Sequence, residues 1–258
     1  MNLPPARIDY IIERLQECIG IVIDNFQDGG EEVEGSGPDL LADAMFRLLD
    51  VLKRLDHLDD TAYTRFDAQA YQGAPSREDE TEVSALADYG IQLLADLSTW
   101  ASRLELEHSC NEIETLAFSL ALWVSERGGE LHTLSPVVNS LAALANSTRD
   151  PHELEQLFNA MSQIVQAAGM DVTEAPREDG VMDPWRILVL NRAIVATRTC
   201  RPALMREAFD SLIEHLPDEA AAFFREGMEQ MDIVGYPDEV KKVMSEYAAL
   251  WSAPRMLH

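Results

Sequence analysis

The sequence is that of an all-α protein of about ten helices, with an α-solenoid-like stack of antiparallel helical hairpins in its carboxyl-terminal half. Three observations predict this. A phrase is spelled twice, LPDEA at Leu216 to Ala220 and YPDEV at Tyr236 to Val240. Behind each phrase apolar residues recur at i, i+3, i+4, i+7, i+8 and i+11, the spacing that draws one stripe along an α-helix. The first stripe is Ala220, Phe223, Phe224, Gly227, Met228 and Met231; the second is Val240, Val243, Met244, Tyr247, Ala248 and Trp251. The same series runs just before them through Met205, Ala208, Phe209, Leu212, Ile213 and Leu216. The third observation is a repeated start signal, an oxygen-bearing residue before proline at Ser135–Pro136, Asp150–Pro151 and Asp183–Pro184. There the side chain can cap an orphan backbone N–H, and proline takes the first helical position, where it has no hydrogen bond to lose.

Taken in order, a first helix is expected near Arg7 to Phe26, where Ile8, Ile11, Ile12, Leu15, Ile19, Val22, Ile23 and Phe26 share a face. The glycines and like charges of Asp28 to Gly37 read as an exposed loop. Pro38 opens a second helix through Leu41, Met45, Leu48, Leu52 and Leu55, and a short third helix is expected from Asp59 to about Tyr71. The stretch QGAPSREDETE mixes Gly, Pro and charge and reads as a hinge, which divides the chain into an amino-terminal unit, 1–72, and a hairpin stack, 80–258. Beyond it, Leu86, Gly90, Leu93, Leu94, Leu97, Ala101 and Leu104 lie on one helix and Ile113, Leu116, Ala117, Leu120, Trp123 and Val124 on the next, which Gly128 and Gly129 stop. Met170 to Asp183 reads as a long polar loop.

Composition bounds the function. With 258 residues and 47% hydrophobic content the chain can bury a continuous core. Its apolar runs are far shorter than the roughly 20 residues needed to cross a bilayer, and the amino terminus lacks a signal-peptide pattern. A cytoplasmic location is expected. Cys18, Cys110 and Cys200 are odd in number and scattered, which suits reduced core thiols. The net charge of −26 opposes general affinity for nucleic acid or anionic lipid. It is uneven: residues 1–180 carry 34 acidic against 11 basic side chains, residues 181–258 carry 12 against 9. The carboxyl-terminal hairpins are therefore the least repulsive surface for an anionic partner. Seventeen arginines against three lysines suit a GC-rich genome or a high-salt habitat, either of which would also account for the acidity.

Pro151, Pro184 and Pro217 are each 33 residues apart, a period of two-helix repeats. From Pro184 the chain resembles the tetratricopeptide family, on a small residue in the first helix (Ala193), an aromatic in the second (Phe209) and the closing Leu216 and Pro217. It departs from that pattern at Val189 and Arg192, where the family has a large aromatic and a leucine, and at Met205, where it has a small residue. The resemblance covers about 184–251, and it implies a concave surface that binds protein or peptide.

No GxGxxG, GxxxxGKS, HExxH, GxSxG or CxxC occurs, so no cofactor is expected and the balance is against an enzyme. His57 with Asp56, Asp59 and Asp60, and His108 with Cys110 and Glu112, are small clusters at helix ends, where such residues are ordinary; neither is taken as a metal site. His132, His152 and His215 have no companion at ligand spacing. The helix from Pro184 to about Arg198 is apolar nearly all round, so it should be sandwiched. Yet Asn191 and Arg198 share a face, Arg192 interrupts a stripe, and Arg186, Arg201 and Arg206 stand close by, making the one basic cluster of an acidic chain. Arginine forms bidentate bonds to carboxylate and phosphate, so Asn191, Arg192, Arg198, Arg201 and Arg206 could accept an acidic peptide. The plainer reading pairs these arginines with the protein's own carboxylates. The leading function is a non-enzymatic scaffold or adaptor that binds another protein or peptide; the alternatives are a helical-bundle enzyme or ligand binder with a pocket near Asn191 and Arg198, or an acidic mimic of nucleic acid.

Overall fold

The computed structural model describes residues 3–29, 36–65, 77–174 and 183–252, with backbone alone for 57–65, 77–82 and 252. Eleven helices lie among the described residues, and one isolated bridge, Leu131 to Ala168, is the β pairing they contain. The chain is all-α. None of these helices is long and apolar enough to cross a membrane.

Two compact units are present. The amino-terminal unit, Pro4–Leu141 with Gln166–Val172, is built on α1 (Ile8–Gly29), α2 (Pro38–Arg65), α3 (Arg77–Arg103) and α4 (Glu107–Ser125). Each helix packs on the next and α1 packs on α4, which closes a four-helix bundle. The stripes read from the sequence face inward: Ile11, Leu15, Met45, Leu52, Leu94, Leu97, Ile113 and Leu120 are fully buried. The short third helix expected from Asp59 is instead a continuation of α2, which runs unbroken to Arg65; the rest of that expectation, 66–71, is outside the described residues. No glycine or proline interrupts 55–65, so the aspartates there do not by themselves end a helix. Helices α2 and α3, which flank the stretch read as a hinge, pack together within this one unit, and 72–76 of that stretch is likewise outside the described residues. Gly128, with φ of 71°, carries the turn after α4.

The second unit, Ala142–Val165 and Thr173 onwards, contains the end of α5 (Ser135–Ser147), most of α6 (Pro151–Ala167), and α8 (Pro184–Arg198), α9 (Pro202–His215), α10 (Pro217–Val234) and α11 (Asp238–Ser252). Two of the three proline start signals act as the sequence suggests. Asp150 Oδ1 accepts from the backbone N–H of His152 and Glu153 at 2.9 and 3.1 Å, and Asp183 Oδ1 accepts from that of Trp185 at 3.0 Å. At α5 the helix has already begun at Ser135. Where a long polar loop was expected after α6, Met170–Thr173 forms the short helix α7. Residues 175–182 of that stretch are outside the described residues.

Short turns make α8 with α9, and α10 with α11, packed neighbours, and α9 touches both helices of the following hairpin. The three matched stripes converge here. Phe209 from α9 lies 5.1 Å, centroid to centroid, from both Phe224 of α10 and Tyr247 of α11, and those two are 5.4 Å apart. The two pairs to Phe209 are edge-on, an arrangement that adds about 0.5 to 1.5 kcal/mol each beyond the area buried. The Tyr247 hydroxyl donates to Asp210 Oδ1 at 2.6 Å, so its buried end is satisfied; burial foremost, and then that carboxylate, push its pKa up to about 12. Gly227 sits in the α10 stripe because Met244 of α11 passes over it: a Cβ there would lie 2.7 Å from the Met244 sulfur.

Candidate functional site

The basic cluster is held chiefly by α8 and α9. On α8, Trp185, Leu188, Val189, Arg192, Ala193, Val195, Ala196 and Thr197 are buried, so the helix is covered over most of its circumference, as its composition suggested. One stripe stays open. Ile187, Leu190, Asn191 and Arg198 are half-buried along it, and Ile194 at its centre is 46% exposed.

Arg192 points away from that stripe. It is 5% exposed, its Nε donates to Ser162 Oγ at 2.8 Å, its guanidinium lies 4.6 Å from the centre of the Phe158 ring, and its outer nitrogen pairs with Glu207. One arginine thus joins α8 to α6 and to α9. Burial lowers its pKa, and the charge of Glu207 opposes this; an arginine remains a cation over the whole working range. Arg198 donates to the backbone carbonyls of Ala145, at 2.6 Å, and Thr148. These are orphan acceptors at the carboxyl end of α5, where the helix dipole also favours a positive charge. Arg198 therefore caps a helix 50 residues before it, and its burial, with the like charge of Arg149, depresses its pKa.

The remaining arginines pair with carboxylates from other helices. Arg201 reaches Glu155 at 2.8 Å, Arg206 reaches Glu246 at 2.6 Å, and Arg186 reaches Glu219 at 2.5 Å. Asn191 stays on the open stripe of α8. The structure thus gathers the six residues along α8 and α9 and engages each of the five arginines within the chain. Such pairs are legible in composition, since 46 acidic residues surround 20 basic ones. Their partners, 15 to 53 positions away, are not.

The other clusters read from the sequence resolve in part. The side chains of His57, Asp59 and Asp60 are outside the described residues, while Asp56 accepts from Trp123 Nε1 at 3.0 Å and pairs with Arg127. Glu112 pairs with Arg14 of α1. Among the described residues, no group of three or more His, Cys, Asp or Glu side chains is placed to hold a metal ion. Burial pushes the Cys18 thiol up to about 11 and raises that of Cys110, which keeps both protonated at neutral pH. Cys110 lines an open groove of about 340 Å³ between α3, α4 and the start of α5. Four of its polar residues bond within the protein: Ser98 and Thr99 donate to the Ala95 carbonyl, each at 2.9 Å, and Asn139 donates to Glu114 at 2.9 Å. Burial raises the Glu114 carboxyl pKa, and the bond from Asn139 partly offsets this.

His132 is the residue sequence reasoning passed over. Its Nδ1 lies 2.5 Å from Asp171 Oδ1, and its Nε2 lies 3.9 Å from both Asp88 and Glu130. Two of these partners are 44 and 39 positions distant, so no local spacing announces them. Comparison of the chain with family models, with curated proteins and with solved structures gave no match.

Proposed function

We propose that this chain is a non-enzymatic interaction protein of helical-hairpin type, which binds another protein or peptide along the open stripe of α8. The observation that carries the reading is Ile194. A helix apolar on every side and buried over most of its surface still presents an aliphatic side chain to solvent, flanked by half-buried Ile187, Leu190 and Asn191. Apolar side chains at i, i+3 and i+7 suit the apolar face of a partner helix laid alongside. The resemblance to tetratricopeptide repeats supports the same face, since α8 is the first helix of its hairpin. Because Arg192, Arg198, Arg201 and Arg206 are engaged within the chain, the reading rests on this apolar stripe, and an acidic segment in the partner would add to it only by exchange with internal pairs.

The test is substitution at the exposed position. Ile194→Asp should cost only about 1 to 1.5 kcal/mol of unfolding stability, since about half of the side chain is already in water. It should also abolish recovery of a stoichiometric partner that the parent chain retains across a range of salt. Recovery of the same partner at the same yield by Ile194→Asp, or no salt-resistant partner with the parent, would sink the reading.

A further inference from the structure

Residues 167–171 form a strap that is held to the amino-terminal unit, although the chain on either side of Gln166–Val172 belongs to the other unit. Two backbone bonds fasten it: the Leu131 N–H donates to Ala167 O at 2.7 Å, and the Gly169 N–H donates to Leu131 O at 2.9 Å. The next residue of the partner segment is His132. Its ring lies so close to Gly169 that a Cβ there would approach ring atoms to 2.6 Å, so only glycine lets the strap pass. Beyond it, α7 places Asp171 Oδ1 at 2.5 Å from His132 Nδ1.

The far side of the ring is equally specific. Asp88 of α3 accepts the backbone N–H groups of His132 and Thr133 on Oδ1, at 2.9 and 3.0 Å, and turns Oδ2 toward Nε2 at 3.9 Å. Glu130, from the same segment as the histidine, stands 3.9 Å from Nε2. The charged groups facing the ring are therefore Asp88 from α3, Glu130 from its own segment and Asp171 from α7. Three carboxylates share one imidazole.

We propose that His132 is a proton-operated clasp, whose imidazolium holds the 167–171 strap closed between Asp88, Glu130 and Asp171, and whose neutral form lets the strap open. A neutral ring with its proton on Nδ1 keeps a hydrogen bond to Asp171 but no longer offsets three mutually repelling carboxylates. Burial works against the cation; the bond to Asp171 and the charges of Asp88, Asp171 and Glu130 outweigh it, and the ring's pKa is raised above 6.5. The sign follows from linkage. A raised value in the closed form makes the clasp's contribution complete below the ordinary value of about 6.5 and lost as pH rises through the raised one.

The experiment combines proton NMR titration of the His132 ring with amide hydrogen exchange at Gly169, whose N–H fastens the strap, on the full chain. Protection, corrected for the intrinsic pH dependence of exchange, should fall as the ring titrates. The fold-change in opening should equal ten raised to the difference between the ring's pKa in the closed and open strap. Asp171 is exposed, so Asp171→Asn should fold normally, lower the ring's pKa and shrink the step in protection. His132→Gln should show no step. Protection that stays flat through the titration, a pKa and step unchanged in Asp171→Asn, or a step that survives in His132→Gln would each overturn the proposal.

Discussion

Arg192 shows how one buried cation can be made tolerable. Its charge is met by Glu207, its Nε by a hydroxyl and its face by the Phe158 ring, so each part of the guanidinium that leaves water finds an acceptor or a π surface. A change that leaves a buried, uncompensated charge is costly, whereas an apolar replacement of similar length is not. Arg192→Glu, which sets a second acid against Glu207, should lose about 3 to 5 kcal/mol in denaturant unfolding. Arg192→Met should lose distinctly less. Equal losses would mean that the charge environment is not what matters. Arg198 differs in having carbonyls for partners. Arg198→Ala should cost about 1.5 to 3 kcal/mol, the range for hydrogen bonds involving a charged group, with faster amide exchange confined to the last turn of α5. The arginines were conspicuous in the sequence because their neighbours are acidic or apolar. Their tasks were not conspicuous, because a guanidinium finds its acceptor through tertiary packing.

Among the elements, the matched helices α9, α10 and α11 were the most legible, since a period of 3.6 on an amphipathic face is the strongest local signal a sequence carries. Of the stripe positions, Met205, Ala208, Phe209, Leu212 and Leu216, then Ala220, Phe224 and Met231, then Val240, Val243, Met244 and Tyr247 are buried, while Ile213, Phe223, Gly227, Ala248 and Trp251 at the stripe margins are half-buried and Met228 is exposed. Boundaries were less legible. LDHLDD looked like a helix end because Asp and His favour termini, yet α2 continues through it. Met170–Thr173 looked like loop because four residues are too few to show a period. Gly227 offers a test of the element-level packing. Gly227→Ala gains helix propensity of about 1 kcal/mol while displacing only the mobile end of Met244, so its stability should stay near that of the parent. Gly227→Leu overfills the α10/α11 contact and should lose about 1 to 3 kcal/mol, read as a lower melting temperature. An unchanged melting temperature for Gly227→Leu would show that the two helices do not approach there.

For the whole molecule, the fold class followed from periodicity, capping and prolines, all of which are local. The grouping of the chain did not. Leu131, Ala168 and His132 meet because a segment of seven residues, Gln166–Val172, belongs to the amino-terminal unit while its flanks belong to the other, and nothing in its composition marks it. Charge at this scale acts differently from charge in the cluster: the net −26 is a sum over the chain, whereas Arg201, Arg186 and Arg206 each join two helices, α6 to the start of α9, α8 to α10 and α9 to α11. This cluster is an internal seam between helices, and the exposed face of α8 around Ile194 is a separate surface. Denaturant unfolding of Arg192→Glu beside Ile194→Asp tests it most directly. Arg192→Glu should lose about 3 to 5 kcal/mol and Ile194→Asp only about 1 to 1.5 kcal/mol. Parent-like stability in Arg192→Glu would contradict it.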